Sequence, residues 1–141
     1  MEEQELPEPE YIIYEGKSYQ IEWYYSEKGK SQPFEYYKKL DAADRKKALK
    51  LFQMLAEIGQ IRNEEKFRNE GDKIYAFKPQ PHRFLCFFFT GSKVIVTNAF
   101  VKKQQKLPKA EKERALRLKI DYENRNKKGT YYEEDEKNDD V

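Results

Sequence analysis

Cysteine and histidine each occur once in the 141 residues, and each scarcity closes off a class of chemistry. Cys86 forms no internal disulfide and, lying inside an apolar run, reads as a buried core thiol rather than a nucleophile. One histidine and one cysteine do not build an ordinary zinc site, so neither a metal nor a cofactor is expected. A Ser-His-Asp triad would have to use His82, and nothing marks a partner serine. Long apolar runs are missing as well. The longest, Phe84–Phe89, has six residues, against the roughly 20 that cross a bilayer, so no membrane partner is expected. Met1 to Glu5 carry no basic region followed by an apolar stretch, so no secretory signal is read and a cytoplasmic protein is expected. P-loop, dinucleotide-binding, nucleophile-elbow and H-E-x-x-H motifs are all absent.

Net charge is also scarce, at +2 from 28 basic and 26 acidic residues, but the balance is an average over unlike segments. Residues 1–15 hold six acids and no base, and residues 126–141 hold six acids and three bases. The stretch 16–125 therefore carries 25 bases against 14 acids, or +11. A basic body between acidic ends points to a polyanionic partner. Twenty Phe and Tyr residues supply bulky apolar surface for a small core. The division this suggests is an acidic flexible lead over 1–15, one domain over 16–126, and an acidic disordered tail over 127–141.

Tyr19, Ile21, Trp23 and Tyr25 alternate with Ser18, Gln20, Glu22 and Tyr24, which predicts a half-buried strand. Pro33 opens one or two helical turns to Leu40. Asp41 then caps a clear helix whose apolar stripe is Ala48, Leu51, Phe52, Leu55 and Ile58, with Gly59 as its stop. Lys46, Lys47 and Lys50 point away from that stripe, as a solvated face or an RNA-facing one. Residues 61–73 read as polar, with Gly71-Asp72 as a turn. Three strands follow: Ile74–Phe77, Phe84–Phe89, and one from Val94 through Phe100. The continuous apolar middle run fits a strand covered on both faces. Pro108 suits the first turn of a last helix that fades by Asn126. The expected class is α+β: a small antiparallel sheet made from one strand, one or two helices, a three-strand meander and a C-terminal helix.

That topology gathers cations. Lys78 ends one strand, His82 and Arg83 open the next, and Lys102, Lys103 and Lys106 follow the last. In an antiparallel meander all six converge on one sheet edge. Convergent Arg and Lys bind phosphate and stabilise a pentacoordinate phosphorus; alternatively they are only the soluble ends of short strands. Phe100 offers a surface on which a base stacks. Arg83 suits a two-oxygen phosphate clamp, and His82 is the one side chain that ordinarily titrates near neutrality.

Two segments carry a family resemblance. One is Ile74-Tyr75-Ala76-Phe77-Lys78-Pro79 followed by Arg83-Phe84-Leu85-Cys86-Phe87. The other is Phe100-Val101-Lys102-Lys103-Gln104-Gln105-Lys106-Leu107-Pro108 and the Glu-rich helix after it. Together they resemble the phage-derived Gp49-like, HigB-type branch of the RelE toxin superfamily, over roughly residues 16–126. The resemblance implies a RelE-like fold and the toxin of a type II toxin–antitoxin pair. Such a toxin is a metal-independent endoribonuclease that cuts messenger RNA on the ribosome through attack of the RNA's own 2′-hydroxyl, and a helix-turn-helix antitoxin neutralises it. Lys78, His82, Arg83 and Lys102 are then the expected catalytic residues, and Asn98, Phe100, Lys103 and Lys106 the expected RNA contacts. The sequence departs from the family pattern at Asn98, where many relatives have histidine, at Ala76, where many have Glu, and at Leu107, where a threonine would cap the helix. These departures leave a second expectation: a catalytically weak RNA-binding or protein-interaction module of the same fold, from a phage or mobile element.

Overall fold

The computed structural model describes residues 8–132. Its elements run β1 (Ile12–Glu15), β2 (Gln20–Trp23), α1 (Gln32–Lys39), α2 (Ala42–Ile58), β3 (Phe67–Gly71), β4 (Ile74–Phe77), β5 (His82–Phe89), β6 (Lys93–Val101) and α3 (Lys109–Lys128). The class is α+β, as expected, but the sheet is neither small nor purely antiparallel. Six strands lie in the order β1-β2-β6-β5-β4-β3, and β2 pairs parallel with β6 while every other pair is antiparallel. The parallel pair arises because the chain leaves β2 through both helices and returns to its side only at β6.

The sheet is covered on both faces. On one lie α1 and α2, packed over Ile21, Trp23, Phe84, Cys86 and Val96. On the other lies α3, whose Ala115 and Tyr122 meet Ile74, Leu85, Phe87 and Ile95. The apolar run of β5 is therefore shared, with Phe84 and Cys86 on the first face and Leu85 and Phe87 on the second. Cys86 is fully buried, and burial pushes its thiol pKa well up, in keeping with a core thiol.

Local chemistry fixes the helix ends. The Ser31 hydroxyl accepts from Phe34 N–H (3.3 Å), and the Asp41 carboxylate accepts from Asp44 N–H (2.8 Å). Gly59 ends α2 in the left-handed region at φ 88°. The α2 stripe differs from expectation at its end, where Ile58 is 63% exposed and Ala56 is buried instead. Ala56 is where the β1–β2 turn crosses the helix. A Cβ on Gly16 would stand 2.5 Å from the Ala56 backbone, and Ser18 and Tyr19 both donate to the Ala56 carbonyl. Only glycine permits that approach.

Three segments are more ordered than the sequence suggests. Residues 12–15, placed in the flexible lead, pair with β2, and Phe67–Gly71, read as polar loop, is an edge strand. At the other end α3 runs on to Lys128, Gly129 caps it at φ 75°, and Tyr131 and Tyr132 fold back onto the sheet. The Tyr131 hydroxyl accepts from Tyr25 N–H (2.9 Å), and the Arg125 guanidinium bonds the Tyr25 carbonyl (2.6 Å) and the Asp121 carboxylate (2.7 Å). Residues 1–7 of the acidic lead and 133–141 of the acidic tail lie outside the described residues. Among the described residues no helix is long and apolar enough to cross a membrane.

Because Tyr131 and Tyr132 cover it, β2 is not the half-solvated strand its alternation implies. Glu22 is 1% exposed. It accepts from Tyr132 Oη (2.7 Å) and Gln20 Nε2 (2.6 Å), with Lys93 Nζ at 3.6 Å. Tyr132→Phe keeps the ring and removes one donor from this buried carboxylate. It should destabilise the fold by about 1–3 kcal/mol, read from urea unfolding of the full chain.

Candidate nucleic-acid interface

The ladder β4–β5–β6 brings one row of side chains together on the α3 face. Phe77 pairs with Phe84, so Lys78, the next residue, stands opposite Arg83, and Arg83 itself pairs with Phe100. One step deeper, Arg68 of β3 pairs with Ala76 and Ala76 with Leu85. The segment between β6 and α3 closes over this row. The result is a cavity of about 360 Å³ whose cations are Arg68, Lys78, Arg83, Lys102 and Lys106, joined by Glu70, Phe100 and Gln105. Lys102 is anchored through its backbone, its N–H donating to the Pro81 carbonyl (2.8 Å).

Arg83 is the buried member, at 4% exposure. Its Nη1 donates to the His82 carbonyl (2.8 Å) and to Gln80 Oε1 (3.2 Å). Its Nη2 is buried and has no protein partner. A buried donor without an acceptor costs about 1–3 kcal/mol, so it marks a place that an oxygen ligand would satisfy. Burial holds the guanidinium pKa below its ordinary value, with Glu70 opposing. Lys78 is affected in the same direction: burial first, then Arg83 and Lys102, draw its ammonium pKa below the usual lysine range. Its Nζ rests on the Glu64 carbonyl (2.9 Å). The carboxylate of Glu70 lies 4.0 Å from Arg68 Nε, too far for a hydrogen bond.

The first turn of α3 adds to this field. Leu107 and Pro108 line the cavity, and Pro108 sits at the N-cap position, one residue ahead of where the sequence suggested, with no side-chain cap. The open N-terminus of a 20-residue helix therefore faces the same cations.

The structure brings together Lys78, Arg83, Phe100, Lys102 and Lys106 among the expected site residues, and it separates the other three. His82 faces the opposite side of the sheet, because adjacent strand residues point opposite ways. There Tyr36 Oη meets Nδ1 (2.6 Å) and Asp44 Oδ2 meets Nε2 (2.9 Å), so the ring ties α1 and α2 to β5 rather than joining the cavity. Asn98 is fully buried, donating to Glu111 Oε1 (3.0 Å) and to the Glu111 carbonyl (3.2 Å), while its Oδ1 accepts from Thr97 Oγ1 (2.6 Å). It pins β6 to α3 and has no free edge for RNA. Lys103 is exposed and does not line the cavity. Sequence reasoning missed Arg68 and Glu70. Their signal was the alternation Phe67-Arg68-Asn69-Glu70 before the Gly71-Asp72 turn, with only Phe67 of the four buried. Among the described residues no three His, Cys, Asp or Glu side chains gather as metal ligands.

With this geometry in place the family can be named. The chain belongs to the phage-derived Gp49-like protein family (DUF891), whose model matches residues 35–119. That family lies within the RelE/toxin-like superfamily. The matched span runs from α1 into α3 and contains every residue of the cationic cavity. No curated protein matches the chain.

The His82–Asp44 contact sets a pH dependence. The imidazole, and Lys47 after it, hold the Asp44 carboxyl below the usual aspartate range. A carboxyl whose folded pKa is depressed contributes stability that is present above its unfolded pKa of about 4 and is lost as pH falls through the folded value. Asp44→Asn should therefore lower Tm at pH 7. The gap from wild type should close below about pH 4, read by thermal melts across that range.

Proposed function

We propose that this chain is the toxin of a type II toxin–antitoxin pair. It acts as an endoribonuclease on messenger RNA held by the ribosome in the cytoplasm, and a helix-turn-helix antitoxin neutralises it. One observation carries the reading: the buried, unpartnered Nη2 of Arg83 on the wall of a cavity ringed by Lys78, Lys102 and Lys106. Such a site accepts a phosphodiester, and Phe100 beside it offers a stacking face for a base. Membership of the Gp49-like family supports the same reading.

RNA supplies its own nucleophile. The 2′-oxygen forms a bond to the adjacent phosphorus as the bond to the 5′-oxygen breaks, leaving a 2′,3′-cyclic phosphate and a 5′-hydroxyl. The protein must align the three atoms, take one proton and give one. Arg83 holds two phosphate oxygens, and Lys102 and Lys106 offset the charge that builds on them. Glu70, a carboxylate at the cavity wall that no hydrogen bond from Arg68 ties down, takes the 2′-hydroxyl proton. Lys78, whose ammonium is a stronger acid than an ordinary lysine's, gives its proton to the 5′-oxygen. His82 and Asn98 play structural parts instead.

A second reading, RNA binding without turnover, is favoured by the absence of an imidazole from the cavity, since His82 faces the other way. Induction in bacteria of wild type and of Arg83→Ala/Lys102→Ala separates the two. The wild type should arrest growth and leave messenger fragments ending in cyclic phosphate. The variant should cut more slowly by about 10²-fold or more. Intact messenger with wild type bound to RNA would select the second reading. Equal cleavage by both proteins would remove the cavity as the site.

A further inference from the structure

The cavity does not end at Arg83. A second hollow of about 690 Å³ opens on the α2 side of the same sheet end, and the two share Arg68, Lys78, Lys102 and Gln105 on their common wall. Beyond that wall the second hollow is lined by Lys47 and Lys50 of α2 and by Lys66 ahead of β3. Glu65 is its one acidic lining residue. Lys50 and Lys66 are exposed, and among the described residues neither enters an ion pair. They sit on different elements, 16 positions apart in sequence, and only the fold brings them to one groove. An amphipathic helix needs a polar face, but it does not need that face to align with cations from two other segments.

We infer that the groove from Lys78 over Lys50 and Lys66 is a binding track for the single-stranded RNA that flanks the reacting phosphate. This rests on the RNA reading of the cavity and extends it. Arg83 and Lys78 hold the phosphate that reacts, and Lys50, Lys66 and Lys47 hold the next phosphates along the strand. A sugar–phosphate backbone carries one charge per nucleotide, so a strand meets several of the lysines that line the two adjoining hollows, whereas a single small anion would fill only the Arg83 end. The binding energy of the remote phosphates is then available to place the reacting one. Another open groove, along α1 by Phe34 and Tyr25, is lined by Glu8, Glu10 and Glu35 as well as Lys30 and Lys38, and has no such single-sign field.

The test uses the full chain and two non-cleavable 2′-O-methyl RNAs, a dinucleotide and a dodecanucleotide, titrated by fluorescence anisotropy over a series of salt concentrations. Wild type should bind the dodecanucleotide more tightly and with the steeper salt dependence. Lys50→Ala/Lys66→Ala should weaken dodecanucleotide binding by about tenfold and reduce its log–log salt slope by about 1.4, the value for two phosphate contacts on a single strand. Dinucleotide binding should stay as in wild type. An unchanged dodecanucleotide affinity and slope would overturn the track, as would an equal loss for both lengths. Arg83→Ala should instead weaken both RNAs. If wild type binds neither, the RNA reading of the cavity fails together with the track. If wild type and Arg83→Ala bind alike while the lysine pair still matters, the cavity reading fails, and with it the track as a flank of the reacting phosphate, leaving the lysine groove as a separate RNA-binding surface.

Discussion

Consecutive residues of a β-strand face opposite ways, and at the first two positions of β5 that constraint divides the polar chemistry of the molecule. His82 turns toward α1 and α2, where Tyr36 and Asp44 occupy both ring nitrogens. Arg83 turns toward α3, where one nitrogen stays open. A slip of one residue would exchange them, placing the imidazole in the cavity and the guanidinium on the α1 and α2 side, by Tyr36 and Asp44. The slip would also exchange Phe84 and Cys86 for Leu85 and Phe87 against two differently shaped covers. Two backbone bonds hold the register at that end, His82 N–H to the Pro79 carbonyl and Lys102 N–H to the Pro81 carbonyl, both 2.8 Å. The core thus decides which cation faces the cavity.

The cavity works against the fold that carries it. Burial draws down the pKa of both Arg83 and Lys78, and each of Arg83 and Lys102 repels the Lys78 ammonium. Among the described residues, Glu70 and carbonyl oxygens answer them. The opposing stability comes from the apolar contacts that cover both faces of the sheet. An anion that enters the folded cavity, and finds no such cavity in the unfolded chain, relieves the repulsion and stabilises the fold by mass action. Binding and stability are coupled here through the same few charges.

The α2 helix, β5 and β6 were legible because each carries its own apolar period or run. The edge strands were not. β1 and β3 have only four and five residues and a single buried side chain, Phe67, between them, and they exist as strands because a neighbour offers free backbone groups. Losing β3 meant losing Arg68 and Glu70. The convergence of Lys78, Arg83 and Lys102 did follow from strand order alone, yet the parity of β5 did not. Phe84–Phe89 is apolar on both faces, so its sequence carries no alternation to say which side His82 takes. The burial of Glu22 was equally hidden, because its partner Tyr132 lies 110 residues away.

The departures at Ala76 and Asn98 then take on a physical meaning. Ala76 lies fully buried between Arg68 and Leu85, in a row where a longer acid would have to fit beneath α3. Here the carboxylate reaches the cavity from the next strand outward, as Glu70. Asn98 donates to Glu111 twice and so holds the α3 N-terminus over the cavity, while its Oδ1 accepts from Thr97. With no imidazole in the cavity, the proposed cleavage assigns proton donation to Lys78, whose acidity burial and then the neighbouring cations raise. A bound phosphate cancels part of that repulsion and helps Lys78 to hold its proton. In the proposed cleavage, charge moves from the phosphate onto the departing 5′-oxygen, and the proton would follow it. On the proposed function, phosphate binding and proton delivery are two phases of one electrostatic balance centred on Arg83.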